Sequence, residues 1–286
     1  MNVKIGNKLV GDGEPIFVVA EIGINANGDL LLAKKLIDMA VEAKCDAVKF
    51  QKRTVDKVYT KEELDVPRKS PWGETNREQK NGLEFGRSEY KSIARYCETN
   101  DIMWFASCWD KESVDFIEQF NPPCYKIPSA LLTNDEILNY TTSKGKPIIM
   151  STGMSTPEQI HHAAEVLENA TGLVILHCTS TYPSKLEELN LKMIQTLKND
   201  YKCPIGYSGH ETGVSSSVVA GALGACLVER HITLDRSMYG SDQAASLEPR
   251  GLQMLVRDLK EIPLILGDGI KKVYDSEIPI IKKLRR

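Results

Sequence analysis

Two histidines, His210 and His231, each end an apolar stretch, PIGYSGH (204–210) and CLVERH (226–231), with a run of small residues between them. Each stretch reads as a buried strand, and the small-residue run as the helix joining them. Two imidazoles at the ends of adjacent strands can meet over one point. Neutral imidazole is the commonest nitrogen ligand of divalent metals, so a shared metal is one use for the pair. The other is local: each ring caps its strand or satisfies a core hydrogen bond. Their common position at a strand end favours the joint role. Glu211, Asp235 and Asp242 lie close enough in sequence to orient an imidazole or touch a substrate.

Polar side chains recur where other buried strands should end: Glu21, Lys49 and Gln51, Ser107, Lys126 and Ser129, Ser151, Thr179, Tyr182. Lysine is almost never buried without a partner. Lys49 between Val48 and Phe50, and Lys126 between Tyr125 and Ile127, therefore require an anion. Ion pairs with Glu21 and Glu229 would satisfy them. The serines and a metal site on the same rim favour a phosphate or carboxylate ligand instead. A lysine there can also form a Schiff base, as in class I aldolases, which keeps a metal-independent aldolase as a competing reading. Covalent hydrolase chemistry has no support, because the chain contains no G-x-S-x-G, P-loop or H-E-x-x-H.

The elements that must position these residues repeat one alternation of buried strand, loop, amphipathic helix and break. Strands are predicted over 16–23, 46–51, 103–108, 124–130, 147–152, 173–179, 204–209 and 226–233. Helical periodicity fills the gaps, as over 31–43, where apolar residues at 31, 32, 36, 37, 40 and 41 trace a stripe. Such alternation demands parallel strands with crossover helices. Eight units, 286 residues and no G-x-G-x-x-G after any strand favour a single (β/α)8 TIM barrel over 1–286, of α/β class, rather than an open doubly wound sheet. Val3–Ile5 and Lys8–Val10 around Gly6-Asn7 predict a hairpin plugging its bottom. Active sites of such barrels sit at the carboxyl ends of the strands. The connection after the second strand exceeds thirty residues, against the usual two to six, and is expected to be a lid on that face. Trp72, Leu83 and Phe85 would pin it, and Lys52, Arg53, Arg68, Lys69, Arg77 and Lys80 give it basic character.

A net charge of -3 gives no general attraction to nucleic acid or an anionic membrane, so the expected partner is a small molecule. Seven cysteines without C-x-x-C spacing read as reduced, mostly buried thiols. With no signal-like or membrane-spanning run in the sequence, a cytoplasmic enzyme is expected.

Assembled, the blocks AEIGINANGD (20–29), VKFQK (48–52), KIPSA (126–130), STGM (151–154), HCTSTYP (177–183), GYSGHETG (206–213) and ERHITLDRSMYGSDQAASLEP (229–249) resemble the sialic acid synthase family in content and order. The loop block PWGETNREQKNGLEF (71–85) is most similar to animal-type sialic acid 9-phosphate synthases. The resemblance implies a metal-dependent condensation of phosphoenolpyruvate with the open-chain aldehyde of an N-acylhexosamine, N-acetylmannosamine or its 6-phosphate. The products would be a nine-carbon 3-deoxy-2-ulosonic acid and phosphate. A related ulosonic acid synthase using another aldose is the alternative, and a non-enzymatic sugar-binding protein a third class. By motif, His210 and His231 match the Mn2+ or Mg2+ ligands. Lys49, Ser107, Lys126, Ser129 and Ser151 match phosphoenolpyruvate contacts, and Gln51, Tyr182 and Asp242 sugar contacts. Glu21 is placed to stabilise charge at carbon 2 or to manage a proton of the added water. A homodimer is expected.

Three departures bear on the sugar. Ala26 stands where the family usually has His, Leu131 where an acidic residue is frequent, and Ser180 where Asn is frequent. Most bacterial relatives also continue into a small antifreeze-like domain that reaches the N-acyl group, whereas this sequence is expected to hold the barrel alone.

Overall fold

A computed structural model describes residues 1–285. Eight parallel strands close into a barrel in chain order: Phe17–Gly23, Ala47–Lys52, Met103–Cys108, Tyr125–Ile127, Ile148–Ser151, Leu173–Cys178, Ile205–Gly209 and Leu227–His231, the last pairing with the first. The predicted TIM barrel is thus the observed architecture. The fourth strand is shorter than its apolar run because Pro128 has no N–H for the ladder and Ser129–Leu131 turns into a 3-10 helix. The predicted hairpin forms from Asn2–Ile5 and Lys8–Gly11, with Gly6 at φ +57° in the turn. Its Val3, Ile5 and Val10 are buried against Phe17, Val19, Phe105 and Leu227 of the barrel interior.

Along each strand the inward side chains change from apolar to polar toward the carboxyl end. The first strand runs Phe17, Val19, Glu21; the second Ala47, Lys49, Gln51; the last Leu227, Glu229, His231. Register aligns the polar ends across neighbours, pairing His231 with Glu21, Glu21 with Lys49, Gln51 with Ser107, and Ser107 with Lys126. Outward residues pack under the helices in two further apolar clusters. Helix Leu30–Glu42, N-capped by the Asp29 carboxylate, buries Ala33, Leu36, Ile37 and Ala40. Leu31, assigned to that stripe from sequence, is instead exposed.

The long connection is not an irregular loop. It folds into short helices Val55–Val58 and Lys61–Leu64, a hairpin Pro67–Ser70/Gly73–Thr75 and helix Asn76–Leu83. Two of these helices start with reciprocal caps, Thr60 with Glu63 and Thr75 with Glu78, which satisfy orphan N–H groups in a segment with little apolar area of its own. Leu64, Leu83 and Phe85 anchor it. Trp72 lies edge-on to Tyr239 in the loop after the last strand, at 5.6 Å between ring centres, and Asn27 donates to the Tyr239 carbonyl. The segment therefore stands as a cap joined to the first and last strand-to-helix loops. No helix among the described residues is long and apolar enough to cross a membrane.

Trp72 packs so closely on Gly82 that an added Cβ would lie 2.1 Å from the indole. Gly82→Ala should therefore destabilise the cap by about 1–3 kcal/mol through overpacking. Tryptophan emission should shift to the red while the far-ultraviolet circular dichroism of the barrel persists. Parent-like emission and melting would refute this packing.

Candidate active site

The polar strand ends enclose a cavity of about 230 Å3 in the barrel mouth. Glu21 enters from the first strand, Lys49 and Gln51 from the second, Ser107 from the third. Lys126 and Ser129 come from the fourth strand and its turn, Ser151 from the fifth, Tyr182 from the loop after the sixth. His210 and His231 come from the seventh and eighth. Every site residue predicted from sequence lines this cavity except Asp242. Asp242 stands behind His231, its Oδ2 3.7 Å from the ring Nδ1. Glu211 and Asp235 do not meet the imidazoles: Glu211 pairs with Arg230 outside the barrel wall, and Asp235 accepts from the Ser237 N–H and hydroxyl.

The charges at the cavity floor form one network. Lys49 Nζ lies 3.2 Å from Glu21 Oε2 and 3.1 Å from Glu229 Oε1, and donates to Ser107 Oγ at 3.0 Å. Lys126 Nζ donates to Ser151 Oγ at 2.6 Å and lies 3.9 Å from the same Glu229 oxygen, which also accepts from Ser208. Burial pushes the Glu21 carboxyl up to about 7, with Lys49 opposing and Glu229 reinforcing the rise. Burial acts on Glu229 in the same sense, but Lys126 and Lys49 together outweigh it and hold this carboxyl down at about 2. Burial pulls Lys126 down to about 8. Lys49 is raised, because its two carboxylates outweigh desolvation. The network thus holds a fixed anion, two cations and one carboxyl poised near neutrality.

The imidazole rings stand 5.4 Å apart between centres, with Tyr182 tilted over His210 at 4.1 Å. His210 Nδ1 donates to the Thr179 carbonyl at 2.8 Å, which fixes the tautomer and leaves Nε2 with a lone pair. His231 Nδ1 is buried without a hydrogen-bond partner, and burial pulls this ring down to about 3, Asp242 opposing, so it stays neutral. Burial lowers His210, but Cys178 and the Thr179 carbonyl outweigh it and raise this ring above its ordinary value, so its Nε2 becomes a metal donor on losing its proton. With neutral His231, the pair is a donor set that suits a divalent cation. Among the described residues no third His, Cys, Asp or Glu completes a cluster, so the remaining positions would fall to water and substrate oxygens.

From sequence, Glu229 is assigned only to a structural ion pair, and Arg53 only to the basic character of the long connection. Arg53 stacks on Trp109 at 4.2 Å, donates to Gln51 Oε1 and approaches Glu84. Arg77, expected at the rim, is instead held by Asp56 and Asp65 on the outer face of the cap. Of the three departures, Ser180 lines the cavity, whereas Ala26 is buried in the outer core and Leu131 packs partly against it.

Residues 36–271 match the model of the NeuB family. The chain belongs to the NeuB family. It is 39% identical over 281 residues to N-acetylneuraminate-9-phosphate synthase of Homo sapiens, covering 97% of this chain and 78% of that protein. It is 36% identical to N,N'-diacetyllegionaminic acid synthase of Legionella pneumophila, covering 100% of this chain and 83% of that one. The crystal structure of N-acetylneuraminic acid (sialic acid) synthetase from Leptospira borgpetersenii, in complex with citrate, superposes with a TM-score of 0.86 at 32% identity, covering 100% of this chain and 98% of that one. The chain is accordingly an enzyme of the sialic acid synthase family, as the motif blocks imply.

Glu229→Gln would leave Lys49 with Glu21 alone and Lys126 without a carboxylate. Removing one partner of a buried pair costs about 3–5 kcal/mol, to be read from urea unfolding. Because the folded carboxyl titrates at about 2 rather than its ordinary 4.5, its stabilisation is complete above 4.5 and lost as pH falls toward 2. The gap between parent and variant should therefore narrow from about pH 5 down to about pH 3. Glu21, raised to about 7, has the opposite sign and costs stability as pH rises from 4.5 through 7. A gap that does not vary with pH would refute the ionised state of Glu229.

Proposed function

We propose that the protein condenses phosphoenolpyruvate with the open-chain aldehyde of an N-acylhexosamine, in a reaction dependent on Mn2+ or Mg2+, to give a nine-carbon 3-deoxy-2-ulosonic acid and phosphate. The observation that carries this reading is the convergence of Lys49 and Lys126, both buried, on a cavity that the imidazole pair also lines. Carbon 3 of phosphoenolpyruvate bonds to the aldehyde carbon, water adds at carbon 2, and the carbon–oxygen bond to phosphate breaks. Lys49 and Lys126, with Ser107, Ser129 and Ser151, hold the phosphate and carboxylate, and orienting two reactants contributes about 7–11 kcal/mol toward the barrier. The chemistry a divalent cation supplies when held by His210 and His231 is Lewis-acid polarisation of the aldehyde oxygen. Glu21, with both protonation states populated near neutral pH, takes the proton of the water that adds at carbon 2. Gln51 and Tyr182 at the rim, with Asp242 behind His231, meet the sugar. The seven free cysteines accord with a cytoplasmic site of action.

His210→Ala should abolish phosphate release from phosphoenolpyruvate plus aldose and weaken Mn2+ binding with little loss of fold. Unchanged Mn2+ dependence would overturn the role of His210. One observation favours a second reading: the depressed ammonium of Lys126 suits a Schiff-base nucleophile. Against it, Lys126 Nζ is engaged by Ser151 and the Ile127 carbonyl. Borohydride with pyruvate should trap nothing on Lys49 or Lys126. A reduced adduct, with activity surviving a chelator, would replace the condensation by a class I aldolase. Ligand binding without phosphate release at any metal concentration would leave a sugar-binding protein.

The aldose is proposed to carry a 6-phosphate. Likeness to the human 9-phosphate synthase supports this, as does the nearness of Arg53 and Arg68 to Lys80. Burial, with Arg53 and Arg68 alongside, pulls the Lys80 ammonium below its ordinary value. Each charge-assisted contact to a phosphate is worth about 1.5–3 kcal/mol. Lys80→Met should lower kcat/KM on N-acetylmannosamine 6-phosphate by about tenfold or more, while leaving the unphosphorylated sugar nearly unaffected, and Arg53→Met, which also frees Gln51, should lower both but the phosphorylated sugar more. Arg77→Ala should change neither. Equal efficiency on both sugars in the parent, unmoved by these substitutions, would refute phosphate reading by the cap.

A further inference from the structure

The hydrogen-bonded ladder between the seventh and eighth strands pairs Tyr207 with Val228, Ser208 with Glu229 and Gly209 with Arg230, and then stops. His210 and His231 both lie one residue beyond it. What joins the two strand ends past that point is a side chain. Arg230 Nη1 donates to Glu211 Oε1 at 2.9 Å, to the Gly213 carbonyl at 2.9 Å and to Ser217 Oγ at 2.8 Å, while Nη2 donates to the Glu211 carbonyl at 2.5 Å. The other Glu211 oxygen accepts from Tyr207 OH at 2.8 Å, which ties the carboxylate back to its own strand.

Arg230 immediately precedes His231, and Glu211 immediately follows His210. Each imidazole is thus one peptide unit from one end of the same clamp. The clamp lies outside the cavity, in the layer between the barrel wall and helix Ser215–Ala222, and both side chains are 0% exposed. Elsewhere that layer is filled by apolar residues such as Val228, Leu255 and Leu259. Apolar residues here would serve folding as well or better, since desolvating an ion pair offsets most of its attraction. A planar guanidinium holding both the carboxylate and the carbonyl of one residue adds fixed distance and direction instead. Ligand pairs need such fixing, because a metal site tolerates little displacement of its donors.

We infer that Arg230 and Glu211 are positioning residues, a buried ion pair that sets the separation and aim of His210 and His231 for cation binding. The inference rests on the proposed metal role of the two histidines. Its test is Mn2+ titration of the metal-free protein, followed by electron paramagnetic resonance, in the parent, Arg230→Met, Glu211→Gln and the double variant Glu211→Leu/Arg230→Met. Each should fold, by circular dichroism, and each should bind Mn2+ about 10–100-fold more weakly than the parent. Arg230→Lys, which keeps the charge but loses the fork, should fall between. Should Arg230→Met not fold, the double variant, which strands no charge, and Glu211→Gln decide. Parent-like Mn2+ affinity in a folded variant, with only the melting temperature lowered, would reduce the pair to a structural contact and overturn the inference. Absence of Mn2+ binding by the parent itself would remove the metal reading and this inference together.

Discussion

Glu229 holds two buried lysines at the mouth of the barrel, and most of the site is arranged around that contact. An ion leaving water costs several kcal/mol even after relaxation, so Lys49 and Lys126 can be buried only where an anion meets them. One Glu229 oxygen serves both and takes the Ser208 hydroxyl as well. The second, fourth, seventh and eighth strands are thereby drawn to a common point. Apolar residues of the same volume would close the mouth at no loss of stability. The charges are therefore better understood as a ligand site that the protein keeps neutralised in its own way than as a device for holding the barrel together.

Stability comes from the other end. The interior below the network is apolar, with Val19, Ala47, Phe105, Ile149 and Leu176 packed over the N-terminal hairpin. The outer layer under the helices adds Leu36, Ile37, Phe50, Leu252 and Leu255 on one side, and Ile127, Ile148 and Ile194 on another. This separation lets the carboxyl face carry unfavourable features. They include a carboxyl raised to about 7, an imidazole nitrogen with no partner, and a lysine pulled down to about 8. Each would be a defect in a core, and each is useful to a group that must change partner or protonation state during a reaction.

The barrel was legible because its strands are short apolar runs broken by polar loops, and because polar residues such as Lys49, Lys126 and His231 fall at the carboxyl ends of those runs. Distances across strands were less legible. Glu229 sits two residues before His231 and faces the cavity, but that it bridges Lys49 and Lys126 depends on register around the barrel, which local sequence does not carry. That Glu211 reaches no imidazole directly was hidden for the related reason that its neighbour in space, Arg230, is on another strand. The cap is expected from sequence as a lid, but without its internal helices. Its Thr-x-x-Glu starts at Thr60 and Thr75 were available as capping signals and would have identified two of its helices. Arg77 and Arg53 read alike as basic residues of the long connection, since what separates them is the presence of Asp56 and Asp65 beside one and Trp109 beside the other.

The same difference between interior and rim explains why family membership is plainer than the choice of sugar. Side chains that rise from the strands themselves, Glu21, Lys49, Ser107, Ser151 and His231, have positions dictated by barrel closure, so they present a nearly fixed surface to whichever reactant the relatives share. Side chains on the loops, Tyr182, Ser180, Trp109 and Arg53, are placed by turns and cap contacts that can vary without disturbing the barrel. Tyr182 illustrates the point: 44% exposed, it nevertheless touches both imidazoles, its ring 4.1 Å from His210 and 5.7 Å from His231. A residue at that junction faces the imidazole pair on one side and solvent at the cavity mouth on the other. Under the proposed function, a choice among sugars would fall to these rim side chains, and changes in them need not alter the charge network beneath.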